Sequence, residues 1–278
     1  MNKRLPEIGQ VTIERIDGLN IRLSRGGRAD GIPILLTSPW PQSIYAFRGV
    51  LSQIESLGPV IAVDLPGFGL SQSRPDLMSP AAMGDFIIHL SHHLGIKRMH
   101  AVGPDVGTLA LLFAAARNPE LFESIIGGAA ATSVELAGSE LKDLINSPAG
   151  SLAAVEGGDI AVGFVKQSAV LSTPDAVIED YRQASAGPRF DRATDYVRAY
   201  LRDLPILKTL LPRIETPVLV LAGKSDPIAT PANGELLANH LPHCRHTLID
   251  GGHLVWEDQA GKYGEHLFKW IGGGYQQI

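Results

Sequence analysis

The sequence predicts an α/β fold in which a mainly parallel, doubly wound sheet follows an antiparallel start. Three observations favour this class: two alternating strands near the beginning, short and continuously apolar strands further along, and helix-length segments between those strands. Alternation is typical of a strand buried on one face, whereas a continuous apolar run is typical of a parallel strand buried on both faces. With 278 residues, of which 45% are hydrophobic, the chain is long enough for one large domain with an insertion.

The antiparallel start is a predicted β-hairpin. Residues 11–16 and 19–23 both alternate apolar and polar side chains, and Asp17-Gly18 lies between them. An Asp-Gly pair is a favoured two-residue hairpin turn, so we expect these two strands to pair with each other.

The parallel part of the sheet is predicted from short apolar runs with helix-length sequence beside them. These runs are 33–37, 60–64, 99–103, 217–223 and 246–250. Helices are predicted at 43–56, 80–94 and 108–117, and a helical pattern follows each of the last two strands.

Between about residues 131 and 204 the strand signal disappears, and short helical patterns are separated by Gly-, Pro- and Ser-containing breaks. A helical insertion of this size is typical of a lid or cap. We therefore expect a core made of 1–130 and 205–278, with a helical cap over 131–204.

Charge and composition exclude several classes of partner. The net charge is −5, and the 24 basic residues are scattered, which argues against nucleic-acid binding. The single cysteine, Cys244, excludes an intramolecular disulfide and a cysteine-based metal cluster. The first residues lack the apolar stretch of a signal peptide, and the apolar run 109–116 is shorter than the roughly 18 residues that span a bilayer. We expect a cytoplasmic protein with a small-molecule substrate and no membrane partner; a homodimer is compatible with the sequence.

Asp105 is the most informative residue. It lies in Gly103-Pro104-Asp105-Val106-Gly107, between the strand and the helix at 108–117. The flanking glycines permit a strained turn that pushes the central side chain outward, and the helix N-terminus stabilises negative charge there. Aspartate is also a common helix N-cap, so the motif alone leaves two interpretations. As a nucleophile, a carboxylate attacks a saturated carbon and forms an alkyl ester that water later opens.

Two further polar residues follow predicted strands, Asp226 after 217–223 and His253 after 246–250. Ligands bind beyond the carboxyl ends of parallel strands, so these side chains and Asp105 are expected to meet. In a triad, Asp105 is the nucleophile, a neutral His253 deprotonates the water, and Asp226 orients the imidazole. The order nucleophile, acid, histidine is that of the α/β-hydrolases.

The chain resembles the epoxide hydrolase and haloalkane dehalogenase branch of the α/β-hydrolase superfamily. Residues 64–71, Asp-Leu-Pro-Gly-Phe-Gly-Leu-Ser, look like the D-x-P-G-x-G-x-S turn of that branch, and 37–41 stand where it carries H-G-x-P. Ser38-Pro39 replaces the His-Gly of that motif. The resemblance implies an α/β-hydrolase fold with a cap, no metal or organic cofactor, and an oxyanion hole made by the backbone N–H groups of Trp40 and Val106.

An epoxide is the favoured electrophile. Epoxide hydrolases of this fold protonate the alkoxide with cap tyrosines, for which the candidates are Tyr181, Tyr196 and Tyr200. Residues 195–198 resemble the family's N-[WY]-Y-R segment, although Val197 stands at the position of the usual donor.

Two alternatives stay open. A haloalkane dehalogenase uses the same ester, but Trp40 stands where its Asn is usual and Val106 where its Trp is usual. The fold also permits a protein that binds a hydrophobic molecule without turning it over. The apolar helix after Asp105 favours an uncharged or hydrophobic ligand in every case.

Overall fold

An eight-stranded sheet forms the centre of the computed structural model, which describes residues 4–278. The strands are β1 (Gln10–Ile16), β2 (Leu19–Gly27), β3 (Ile34–Thr37), β4 (Pro59–Val63), β5 (Met99–Val102), β6 (Phe122–Gly127), β7 (Val218–Gly223) and β8 (Cys244–Ile249). Their spatial order is β1-β2-β4-β3-β5-β6-β7-β8; β2 is antiparallel to both its neighbours, and the remaining pairs are parallel. The predicted α/β class with an antiparallel start is confirmed.

Eleven α-helices accompany these strands in the described part of the chain. They are α1 (Leu51–Ile54), α2 (Pro80–His93), α3 (Val106–Arg117), α4 (Ser139–Asn146), α5 (Gly157–Ser168), α6 (Asp175–Ser185), α7 (Arg189–Arg198), α8 (Tyr200–Leu210), α9 (Pro231–His240), α10 (Val255–Asp258) and α11 (Ala260–Ile271). Among residues 4–278, no helix combines the length and the apolar character that crossing a membrane requires.

Strand β6 was not among the predicted strands. Its sequence, Phe-Glu-Ser-Ile-Ile-Gly, follows α3 after only a few residues and interrupts its apolar run with Glu123 and Ser124. Ser124 is fully buried, and its hydroxyl is hydrogen-bonded to the His100 ring at 2.9 Å. This bond explains how a polar side chain is accommodated in a buried strand.

The helix predicted over 43–56 is also different. A 3₁₀ turn covers Ile44–Phe47, and the α-helix is limited to α1. Gly49 lies between them, and a Cβ there would meet the Cβ of Ala260 at 2.7 Å. The close approach of α11 thus explains the glycine that interrupts the helical pattern.

The core lies on both faces of the sheet. On one face α3 is buried along most of its length and packs against α2, where Gly84 allows close approach to Phe113. On the other face Trp256, Tyr263 and Trp270 bring α10 and α11 against the strands. The carboxyl ends of the central strands are consequently the part of the sheet that remains open for an active site.

Helices α4–α8 are inserted between β6 and β7, and α8 runs past residue 204 to Leu210. A buried ion cluster fixes α6 to the sheet: Arg22 Nη1 lies 2.6 Å from Asp180 Oδ2, and Arg22 Nε lies 2.6 Å from Asp64 Oδ2. The Ser43 hydroxyl donates to the same Asp180 carboxylate at 2.6 Å. Removing one partner from a buried cluster of this kind typically destabilises a protein by about 3–5 kcal/mol.

Candidate active site

Asp105 occupies a strained corner between β5 and α3, with φ 55° and ψ −127°. Its side chain makes no capping hydrogen bond to α3, so the N-cap interpretation does not describe it. A Cβ on Gly107 would lie 2.1 Å from Thr37 Oγ1, and a Cβ on Gly103 would lie 2.6 Å from the same atom. Only glycine fits on either side, and the resulting turn holds the Asp105 side chain at the sheet edge at a cost of order 1–3 kcal/mol in backbone strain.

The backbone N–H of Trp40 donates to Asp105 Oδ2 at 2.8 Å. Trp40 belongs to the segment 38–43 after β3, hereafter the Trp40 loop. Burial raises the pKa of the Asp105 carboxyl, while His253 and the backbone N–H groups of Trp40 and Val106 oppose that effect. The exposed part of Asp105 faces a cavity.

His253 and Asp226 are adjacent. His253 Nδ1 lies 2.8 Å from Asp226 Oδ2, and both side chains are buried. The backbone N–H groups of Ile228 and Ala229 donate to Asp226 Oδ1 at 2.8 and 3.0 Å, which fixes the carboxylate. Burial alone would lower the pKa of His253, but Asp226 and Asp105 outweigh it and raise that pKa.

One cavity of about 560 Å³ has Asp105 and His253 in its wall. Apolar side chains from the inserted helices form much of the remainder, including Leu141 of α4, Phe164 of α5 and Phe190 of α7. The sequence did not single out these inserted-helix residues, because side chains on a short helix face a cavity or solvent according to tertiary packing. No Lys or Arg is among the described residues that line the cavity, and its acidic side chains besides Asp105 are Glu140 and Asp143.

The three candidate tyrosines occupy different surroundings. Tyr181 donates its hydroxyl to Glu257 and does not line the cavity, so it is not placed to protonate a substrate there. Tyr196 donates to the carbonyl oxygen of Val106 at 2.7 Å and is also absent from the cavity wall. Tyr200 lines the cavity, and burial followed by the charge of Asp105 raises its pKa well above the ordinary value. The structure therefore brings only Tyr200 of the three to the site.

Trp40 also lines the cavity. Its ring packs on Phe190 with centroids 5.2 Å apart, and its buried indole N–H has no acceptor within the described residues. The ring of His253 is enclosed by Phe164 and Trp256, whose centroids lie 6.0 and 5.5 Å away. These aromatic side chains make the surroundings of Asp105 and His253 largely apolar.

Within residues 4–278, no group of three or more His, Cys, Asp or Glu side chains is arranged to hold a metal ion. Cys244 lies outside the cavity wall, and burial raises the pKa of its thiol to about 12. At neutral pH this thiol is therefore protonated and unreactive.

A family model for the alpha/beta hydrolase fold matches residues 32–260. A proline iminopeptidase from Lactobacillus delbrueckii subsp. bulgaricus is 26% identical over 281 positions, covering 88% of this chain and 92% of that enzyme. A soluble epoxide hydrolase from Corynebacterium sp. (strain C12) is 32% identical over 95 positions, covering 34% of this chain and 33% of that enzyme. Among solved structures, a haloalkane dehalogenase from Bradyrhizobium elkani USDA94 matches with a TM-score of 0.82 at 20% identity, covering 96% of this chain and 99% of that chain. At 20% identity, the likeness to the dehalogenase structure shows a shared fold.

Proposed function

The chain belongs to the α/β-hydrolase fold family, and we propose that it hydrolyses an epoxide to a diol through an ester on Asp105. The observation that carries the proposal is the 2.8 Å bond from the Trp40 N–H to Asp105 Oδ2. One carboxylate oxygen is held where an oxyanion would later form, which leaves Oδ1 for attack on carbon.

In the first step Asp105 Oδ1 bonds to an epoxide carbon, and the C–O bond of the three-membered ring breaks. The electron pair of that bond becomes an alkoxide, which takes the proton of the Tyr200 hydroxyl. The raised pKa of Tyr200 keeps the hydroxyl protonated at neutral pH, yet an alkoxide is a far stronger base and can remove that proton. Tyr200 regains its proton from solvent during turnover.

In the second step His253 Nε2 takes a proton from water, and the hydroxide attacks the carbonyl carbon of the ester. Negative charge then develops on Oδ2, next to the N–H groups of Trp40 and Val106. Collapse breaks the bond between that carbon and Oδ1, and the imidazolium of His253 protonates the leaving diol oxygen. Asp105 is left as a carboxylic acid and releases a proton to solvent, which balances the proton that Tyr200 takes up. Asp226 stabilises the imidazolium and fixes its orientation.

The charge of Asp105 links the two steps. In the free protein that charge helps raise the pKa of His253 and favours the imidazolium, which cannot act as a base. Formation of the ester removes the charge, so the pKa of His253 falls when the base is needed. A base must be neutral, as the sequence predicts for His253. We therefore expect the neutral imidazole in the alkyl-enzyme rather than in the free protein.

The lining of the cavity supports an uncharged or hydrophobic substrate. Its wall is largely apolar, and its described lining combines Glu140 and Asp143 with no Lys or Arg. An uncharged, apolar epoxide fits this surface, whereas a carboxylate-bearing analogue would meet repulsion from Glu140 and Asp143 with no Lys or Arg to hold it.

The decisive experiment is repeated turnover of a styrene-type epoxide in water enriched in heavy oxygen, followed by mass analysis of the peptide that contains Asp105. The second step puts a water oxygen into the carboxylate, so heavy oxygen is expected in Asp105 after one turnover. Label that appears in the diol from the first turnover, and never in Asp105, would refute the ester.

A specific observation also favours a second candidate, a haloalkane dehalogenase. The indole N–H of Trp40 is buried at the site without an acceptor in the described residues, and a leaving halide needs such a donor. Halide release from a haloalkane panel, measured beside diol formation, separates the two activities. Trp40→Phe would suppress halide release while leaving epoxide opening largely intact if the indole serves the halide.

A further inference from the structure

A single buried side chain, that of Gln42, connects the Trp40 loop to the segment that carries His253. We call residues 250–258 the histidine segment. Gln42 Oε1 accepts a hydrogen bond from Trp256 Nε1 at 2.9 Å, and Gln42 Nε2 donates to Glu257 Oε1. Gln42 is fully buried, so both ends of its amide are satisfied by the histidine segment without solvent.

The partners of Gln42 are themselves fixed. Glu257 accepts from the Arg48 guanidinium at 2.8 Å and from the Tyr181 hydroxyl, which belongs to α6. Its carboxylate is nearly inaccessible, at 3% side-chain exposure, so the position of Glu257 is set by these contacts. The other partner, Trp256, holds its ring edge-on to His253 with centroids 5.5 Å apart.

The hydrogen bonds of Gln42 join two segments that each carry a group with a role in the reaction. Gln42 lies two residues after Trp40, whose N–H holds Asp105 Oδ2 at 2.8 Å. On the other side it reaches Trp256, three residues after His253. The amide therefore links the loop that carries the oxyanion-stabilising N–H to the segment that carries the imidazole.

We propose that Gln42 is a positioning residue that aligns the Trp40 N–H with His253 for hydrolysis of the ester, an inference that rests on the proposed function. Opening the epoxide requires the Trp40 loop and Asp105. Hydrolysing the ester requires in addition that the Trp40 N–H and the His253 imidazole be correctly positioned relative to each other. Loss of the amide thus slows the second step more than the first.

Gln42→Met tests this role, since methionine keeps the length of the side chain and removes both hydrogen bonds. We expect hydrolysis to slow by about 10–100-fold, the order of loss that follows from a displacement of about 1 Å near the reacting groups. The alkyl-enzyme should accumulate, visible in intact mass after rapid quenching. Gln53→Met is the matched control, because Gln53 is a part-buried glutamine whose amide donates to the Ala260 carbonyl at 3.3 Å, away from the cavity wall.

A second readout does not depend on turnover. The imidazole resonances of His253 are followed through a pH titration by NMR in the wild type, Gln42→Met and Gln53→Met. Gln42→Met should shift the His253 resonances and its midpoint, because the Trp256 ring loses the bond that holds it. Gln53→Met should leave both unchanged. Gln42→Leu removes the same two hydrogen bonds, leaves the Trp256 ring beside His253, and serves in place of Gln42→Met if that variant does not fold.

Equal loss of both steps in Gln42→Met, with an unshifted His253 titration, would overturn the positioning role. If the wild type forms no ester on Asp105, the proposed function fails instead. In that case the His253 titration still decides whether Gln42 holds the histidine segment.

Discussion

Asp226 Oδ2 lies 2.8 Å from His253 Nδ1, and two backbone N–H groups hold the other oxygen of Asp226. A carboxylate fixed in this way accepts from Nδ1–H and leaves Nε2 as the basic nitrogen. The hydrogen bond to Asp226 therefore sets which nitrogen of His253 acts as the base.

Asp226→Asn should separate the two chemical steps. The amide cannot stabilise an imidazolium as a carboxylate does, so hydrolysis of the ester should fall by about 10²–10⁴-fold while its formation continues. Rapid-quench mass analysis should detect the accumulated alkyl-enzyme. Asp85→Asn, which changes an exposed partner of Arg117, should retain wild-type rates; no accumulation in Asp226→Asn would contradict the orienting role.

Asp105→Asn should lower the pKa of His253. The charge of Asp105 is among the causes that raise this pKa, and asparagine removes the charge while tolerating a positive φ. The folded pKa of His253 is above its unfolded value, so its stabilising contribution is complete below the unfolded pKa. That contribution is lost as pH rises through the folded pKa.

NMR titration of His253 measures the pKa shift, and denaturant unfolding at several pH values checks the linked stability. In Asp105→Asn the loss of stability with rising pH should begin at a lower pH than in the wild type. An unchanged or higher His253 pKa in this variant would show that the two groups are not coupled.

Tyr200→Phe should slow formation of the ester from an epoxide and leave hydrolysis of the ester almost unchanged. Loss of a positioned proton donor typically lowers a rate by about 10²–10⁴-fold. Tyr275→Phe is the control, because the Tyr275 hydroxyl bonds Glu123 and is absent from the cavity wall. Pre-steady-state kinetics with an epoxide distinguish the steps, and an unaffected Tyr200→Phe would require another source of the proton.

Gly107→Ala should disrupt the corner at Asp105. The added methyl would lie 2.1 Å from Thr37 Oγ1, so β3 and α3 must separate, and both activity and the free energy of unfolding should fall. Gly261→Ala, in a helix where a Cβ meets nothing within 4 Å, should instead raise the free energy of unfolding by up to about 1 kcal/mol. Denaturant unfolding of both variants provides the comparison; equal stabilities would mean that the corner tolerates a methyl group.

The sequence predicted the parts that depend on local pattern. The Asp17-Gly18 turn, the apolar strands and the glycines around Asp105 all express backbone and burial requirements that neighbouring residues reveal. The ends of the strands then placed Asp226 and His253 on the same edge of the sheet, where the two side chains lie side by side.

The remaining features depend on residues far apart in the chain. Tyr196 and Tyr200 are four positions apart in the sequence, yet one bonds the Val106 carbonyl and the other lines the cavity. Gln42 meets Trp256 across 214 positions, and no local pattern announces such a contact. Strand β6 was missed because the polar Ser124 interrupts its apolar run. The residue that satisfies Ser124, His100, lies on another strand and cannot be recognised from local sequence.

The ion cluster of Arg22, Asp64 and Asp180 has a consequence for how a ligand reaches the cavity. Lifting α6 would take Asp180 away from the buried guanidinium of Arg22, whereas α4 buries only Leu141 and Ile145 among its eight residues. Displacing α4 therefore costs less buried contact than displacing α6, so we expect a ligand to enter and leave the cavity beside α4 while α6 stays in place.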